Sequence, residues 1–243
     1  MTGRIPCLWL ILGLVASGEL RADSIRIAAA SNFQTVMPAL TAAFEQTHPG
    51  TQLAVSHAST GNLVAQIRHG APFHVFLSAN LEYPRALISS GEAEADSLTL
   101  FAHGLLVLWP KPTHADWVTA LQSPEVRRVA IANPDTAPYG AAARTALKEA
   151  ALWEELAPRL VTGENVAQTL QFVHSGNANF GLVAASLLTV APDPGPGLPI
   201  DALPHGAVLL THREDSTTAR QFLDWLTSED ARAILGEHGY RVP

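Results

Sequence analysis

Cysteine is almost missing: Cys7 is the sole one in 243 residues. It lies in a segment read below as removed, so the mature chain is expected to have neither disulfide nor thiol chemistry. Basic residues are scarce as well, 15 Lys and Arg against 22 Asp and Glu, for a net charge of −7. Such a balance does not attract nucleic acid. An anionic ligand would be opposed by the overall field and must be held by local dipoles and hydrogen bonds. The nucleophile elbow Gly-x-Ser-x-Gly is absent, and Ser56 and His57 are adjacent, so as strand neighbours they point to opposite faces. A secreted Ser/His/Asp hydrolase therefore lacks its signature. The ten histidines show no metal-ligand spacing, and three tyrosines, Tyr83, Tyr139 and Tyr240, argue against a ferric ion. No repeat or low-complexity tract is present.

What is present begins with a composition of 47% hydrophobic residues, which excludes disorder and fits one large domain or two small ones. Arg4 precedes the apolar run Ile5 to Ala16, about a dozen residues long and short of the ~20 that span a bilayer. With Leu20-Arg21-Ala22 after it, the segment 1–22 reads as a secretory signal peptide cleaved after Ala22. Removing it leaves 13 basic and 21 acidic residues, and its presence implies export across the cytoplasmic membrane.

The most informative stretch is Ile25 to Phe44. Ile25, Ile27 and Ala29 alternate as in a short buried strand, then Phe33, Val36, Met37, Leu40 and Phe44 take helical spacing. Ser31 and Asn32 stand at the switch, at a helix start whose unpartnered N–H groups and dipole suit either a plain cap or an anion. Pro38 must kink this helix or delay its regular part. The design recurs at Gln52 to Ser56, a strand followed by His57-Ala58-Ser59-Thr60-Gly61-Asn62 and a helix with Leu63, Val64 and Ile67. Two such turns at successive strand ends favour a binding site, because ligands of open α/β sheets gather at the carboxyl ends of strands.

Further on, the sequence predicts a strand at His74 to Ser78, a helix at Tyr83 to Ser90 and an apolar run Leu105 to Trp109 that crosses to a second lobe. A strand at Val126 to Ala132 leads through Asn133-Pro134-Asp135-Thr136-Ala137-Pro138-Tyr139-Gly140 into a helix over Ala141 to Ala151. A short strand at Leu160, a helix Val166 to Ser175 capped by Glu164-Asn165, and a strand Phe180 to Val183 follow. Ala191 to Pro204 reads as a surface loop and Ala207 to Thr211 as the return crossover. Two terminal helices, Thr217 to Leu226 and Ser228 to Glu237, end the chain. Alternating strands and helices imply an α/β fold with mostly parallel sheets. The two crossovers divide it into a signal peptide at 1–22, lobe I from 23–105 and 207–243, and an inserted lobe II from 106–206.

Five pieces taken in order, Ala28-Ala29-Ala30-Ser31-Asn32-Phe33, Ala58-Ser59-Thr60-Gly61, Gly70-Ala71-Pro72 with Phe76-Leu77-Ser78-Ala79, Asn133-Pro134 with Ala137-Pro138-Tyr139-Gly140, and Gly163-Glu164-Asn165-Val166, resemble the periplasmic molybdate-binding proteins of bacterial ABC importers. The resemblance covers nearly all of the mature chain. It implies a two-lobed type II periplasmic-binding-protein fold and a monomer that delivers molybdate or tungstate to a membrane permease, with no cofactor and no catalysis. It also implies that Ser31, Asn32 and Thr60 hold the oxyanion from one lobe and Tyr139 and Val166 from the other. Many members carry a tyrosine where this chain has Ala184, so Asn32 and Tyr139 are expected to supply donors in its place. His74 stands where many have Asp, and is read as second-lobe packing or a solvent contact.

Molybdate, tungstate and sulfate are fully ionised at neutral pH and only accept hydrogen bonds. The loops above offer hydroxyls, the Asn32 amide, the Tyr139 phenol and backbone N–H groups, with no Lys or Arg. Charge-assisted bonds of this kind are roughly twice as strong as neutral ones. Phosphate fits less well, because its proton wants a carboxylate, and the first two loops have none. Sulfate or another tetrahedral oxyanion is the alternative ligand, since sequence does not give cavity size. Ser31 and Thr60 as ordinary caps, Tyr139 bonded to a backbone carbonyl and Val166 as helix core are the non-binding readings of the same residues.

Overall fold

The computed structural model describes residues 23–113, 116–188, 198–211 and 217–243. The segment read as a signal peptide, and the first half of the loop read at Ala191 to Pro204, lie outside the described residues. Nine strands and nine helices are present among those described: β1 Asp23–Ala30, α1 Met37–Thr47, β2 Thr51–Ala58, α2 Thr60–Arg68, β3 Val75–Ser78, α3 Glu82–Ser89, β4 Thr99–Gly104, β5 Leu106–Trp109, α4 Trp117–Gln122, β6 Val129–Ala132, α5 Pro138–Glu149, α6 Trp153–Leu156, β7 Leu160–Gly163, α7 Val166–His174, β8 Phe180–Ala184, β9 Leu203–Leu209, α8 Thr217–Trp225 and α9 Glu229–Glu237.

These form a five-stranded sheet ordered β2-β1-β3-β9-β4 and a four-stranded sheet ordered β5-β8-β6-β7. In the first sheet β1 runs parallel to β2 and β3 while β9 opposes both β3 and β4. In the second, β6 is parallel to β7 and β8, and β5 opposes β8. One reversed strand per sheet leaves both mostly parallel, with helices on the faces, as the alternating pattern implies.

β1 is buried on both faces from Ile27 to Ala30, as a central strand under helices should be. Its end turns into a 3-10 segment, Ser31–Phe33, and α1 begins only at Met37 with Pro38 in its first turn. Proline is tolerated there because first-turn N–H groups lack helical partners anyway. Pro38 thus delays the helix and does not kink it. Phe33 fills the space beneath, with its ring centroid 5.5 Å from those of Phe101 and Tyr240 and 5.2 Å from that of His205. Burial of such a side chain is worth about 1.5–3 kcal/mol.

Three expectations change. The extended run placed at Ala207 to Thr211 begins at Leu203 and lies inside the five-stranded sheet, so the chain has returned from the second sheet before Leu203. β4 was not expected at all; it pairs with β9 through a register shift between Leu100 and Ala102, which breaks the alternation that would betray a strand. The chain then passes from β4 to β5 through Leu105 alone. His74 belongs to the first sheet and not the second: its Nδ1 accepts from the Arg26 N–H at 2.9 Å, and its own N–H donates to the Arg26 carbonyl.

Candidate functional site

Five strand ends converge on one cavity. Ser31 and Asn32 follow β1, Ser59 and Thr60 open α2 after β2, and Ala79 follows β3. From the second sheet, Ala137, Pro138 and Tyr139 open α5 after β6, and Val166 opens α7 after β7. All five residues singled out in the sequence, Ser31, Asn32, Thr60, Tyr139 and Val166, line this cavity, whose volume is about 10 Å³. That is below the roughly 300–1,000 Å³ of pockets for organic ligands and suits a small ion. No residue of its lining bears a charge.

The cavity gathers unspent polar atoms. Asn32 Oδ1, Ser59 Oγ, Thr60 Oγ1 and Tyr139 Oη are buried without a hydrogen-bond partner, and no other buried side-chain oxygen or nitrogen among the described residues shares that state. Such atoms cost about 1–3 kcal/mol each, and the three hydroxyls among them are free to donate to a ligand that accepts. Ser59 occupies the N-cap of α2, yet its side chain caps nothing; the plain-cap reading thus fails for this turn. The Tyr139 hydroxyl does not reach a backbone carbonyl either. Burial, then the neighbouring Tyr240, push its pKa well up, and the nearby Ser186 hydroxyl counters this in part. The phenol therefore stays protonated and able to donate. At α7, Asn165 Oδ1 takes the N–H groups of Ala167 and Gln168, both at 3.0 Å. That cap leaves Val166's own N–H at the helix tip, so only the backbone of Val166 has anything to offer a ligand.

Asn32 departs from the expected role. His205 Nδ1 lies 2.7 Å from the Leu203 carbonyl oxygen. A carbonyl only accepts, so Nδ1 carries the proton. Burial lowers the His205 pKa to about 3, which keeps the ring neutral and makes Nε2 an acceptor. Asn32 Nδ2 sits 2.8 Å from that Nε2 and donates to Tyr240 Oη at 3.0 Å. The Tyr240 hydroxyl in turn donates to the Asn32 carbonyl at 2.9 Å. Both amide protons of Asn32 are thereby used, and only Oδ1, an acceptor, is left over. The amide is not available as the extra donor that Ala184 fails to supply. Sequence reasoning did not single out Ser59, which lines the cavity, or Gly104, His205 and Tyr240, which pack against its lining.

The two sides touch around the cavity. The Gly61 N–H donates to the Thr136 carbonyl at 2.8 Å, the Thr35 hydroxyl to the Ser186 carbonyl at 2.5 Å, and the Ser186 hydroxyl to the Asn32 carbonyl at 3.0 Å. Glycine is required at two contacts. A Cβ on Gly61 would lie 2.9 Å from the Thr136 carbonyl oxygen, and one on Gly104 would lie 2.0 Å from Tyr139 Oη and 2.6 Å from His205 Cε1. The larger hollows elsewhere are open grooves. One is lined by Ala142, Thr145, Glu149 and Asp201, the other by Met37, Glu45, Leu53 and His57. Their carboxylates would repel an anion.

Residues 25–241 match the bacterial extracellular solute-binding protein family. The molybdate-binding protein ModA of Azotobacter vinelandii is 36% identical over 237 residues, 94% of this chain and 93% of the relative. ModA of Rhodobacter capsulatus is 34% identical over 240 residues, 95% and 92% of the two chains. The solved structure of the Azotobacter vinelandii periplasmic molybdate-binding protein superposes with a TM-score of 0.83 at 32% identity, covering 90% of this chain and 99% of that one. A sulfate-binding protein of Mycobacterium tuberculosis shares the fold, at a TM-score of 0.67 and 14% identity. By its matched length and by these relatives, the chain belongs to the bacterial extracellular solute-binding proteins.

Proposed function

We propose that the protein captures molybdate or tungstate outside the cytoplasmic membrane and hands it to the permease of an ABC importer. The observation that carries this reading is the meeting of unpartnered buried polar atoms, three of them hydroxyls, in a small uncharged cavity. Hydroxyls from Ser59, Thr60 and Tyr139, with Ser31 and the Val166 N–H, form a donor set for an ion that only accepts. The relatives' names point to the same ligand. In this reading the first sheet with the terminal helices is one lobe and the second sheet is the other, and the ion binds between them. Closure is a population shift, because donors on both sides are engaged together only when the lobes meet. In this reading the donors only hold the ion by hydrogen bonds, so capture ends in release and not in turnover. The mature protein acts as a periplasmic monomer.

Calorimetry of the mature protein with molybdate, tungstate, sulfate and phosphate tests this. Tight binding of the first two and weak binding of sulfate is expected. Equal affinity for sulfate, or no binding of any tetrahedral dianion, overturns it.

A further inference from the structure

Asn32 is held from two directions by groups far away in sequence. His205 lies two residues into β9, where the chain has just rejoined the first sheet. Tyr240 comes from the end of the chain, beyond α9, where His103 and Arg241 exchange backbone hydrogen bonds of 2.7 and 2.9 Å with one another. Both side chains are buried. His205 also meets Tyr139 edge-on, with ring centroids 6.0 Å apart, so a single imidazole contacts a cavity residue from each side.

We propose that His205 and Tyr240 are positioning residues of the oxyanion site: they accept the two amide protons of Asn32 and so fix the Ser31–Asn32 turn at the cavity wall. Neither touches the ion. Each removes a rotation by which the Asn32 amide would reorient, and the Tyr240 hydroxyl pins the Asn32 backbone as well, through its carbonyl. Two consequences follow. The turn reaches the ion already ordered, which lowers the cost of binding. The Asn32 amide also keeps its oxygen as the unspent atom, so Asn32 shapes the wall without donating from its side chain. The proposal rests on the oxyanion reading, and its test separates the two.

Tyr240→Phe keeps the ring that stacks on Phe33 and removes only the hydroxyl. His205→Gln retains an acceptor near Nε2, and His205→Phe retains none. The side-chain amide signals of Asn32 in a proton–nitrogen NMR spectrum, identified by their loss in Asn32→Ala, report positioning without any ligand. Slow hydrogen exchange is expected in wild type and in His205→Gln, and fast exchange in His205→Phe and Tyr240→Phe. Calorimetry with molybdate should show about tenfold weaker binding for His205→Phe and Tyr240→Phe, recovery in His205→Gln, and less than a twofold further loss when His205→Phe is added to Asn32→Ala. Unchanged amide exchange in Tyr240→Phe overturns the proposal, as does a loss of affinity in His205→Phe that multiplies with that of Asn32→Ala. A wild type that ignores molybdate while its Asn32 amide responds to Tyr240→Phe overturns the ligand and supports the positioning.

Discussion

Tyr139→Phe deletes one atom, and the structure gives that deletion opposite signs for binding and for stability. Tyr139 is 1% exposed and its hydroxyl has no hydrogen-bond partner. A buried hydroxyl in that condition costs roughly 1–3 kcal/mol, so its removal should stabilise the ligand-free protein by up to that amount. Where the cavity opens to water the hydroxyl is solvated and the gain falls toward zero. At roughly 2–4 °C per kcal/mol for a chain of this size, the ligand-free Tm should stay level or rise by up to about 10 °C. With molybdate bound, the same hydroxyl donates to an anion, a bond worth about 1.5–3 kcal/mol. Affinity should therefore fall about ten- to a hundredfold. Thermal melts with and without ligand, beside calorimetry, read both numbers from one variant. A lower Tm with unchanged affinity would show that the hydroxyl has a structural partner, and the reasoning would be refuted.

Thr60→Ala and Ser59→Ala should each weaken molybdate binding by about 1.5–3 kcal/mol in calorimetry; unchanged affinity in both returns the turn to structure alone. Gly61→Ala puts a Cβ 2.9 Å from the Thr136 carbonyl oxygen, and overpacking of this kind costs about 1–3 kcal/mol. Small-angle scattering should then show less compaction on adding molybdate than in wild type, and equal compaction would mean the two sides do not meet there. Acid should destabilise the fold through His205. Its folded pKa is lowered to about 3 from an ordinary value of 6.5, so between those values the unfolded chain binds more protons. Stability is then fully present above pH 6.5 and is lost as pH falls toward 3, at about 1.4 kcal/mol per unit. Denaturant midpoints between pH 6 and 4 should fall less steeply in His205→Gln than in wild type, and equal slopes would contradict the assignment.

The turns that build the cavity were legible because each is local. A strand pattern that stops at Ser31 or Ser59 and resumes as a helix can be read within twenty residues, and so can Tyr139 and Val166 at the starts of their helices. What was not legible depends on pairing between distant segments. His205 follows Pro204, in a strand that reads as the tail of a Pro/Gly-rich loop, and its place beside Asn32 exists only once β9 lies next to β3. Tyr240 stands in a tail after a helix, with no periodicity to mark it. Gly104 looks like an ordinary strand end until Tyr139 and His205 are packed against it. Asn32 lines the cavity, but both of its amide protons are spent on His205 and Tyr240. Which of its atoms is spent is decided by a histidine proton 173 residues away, through a carbonyl that sequence does not place.

The most direct measurement is diffraction from crystals of the mature protein grown with molybdate, using the anomalous scattering of molybdenum to locate the ion. One peak is predicted inside the cavity, with its oxygens in hydrogen-bond range of Thr60 Oγ1 and Tyr139 Oη and without a Lys or Arg beside it. Absence of a peak there, or a peak in the groove beside Thr145 and Asp201, would contradict the claim that the unpartnered hydroxyls of this cavity hold an oxyanion.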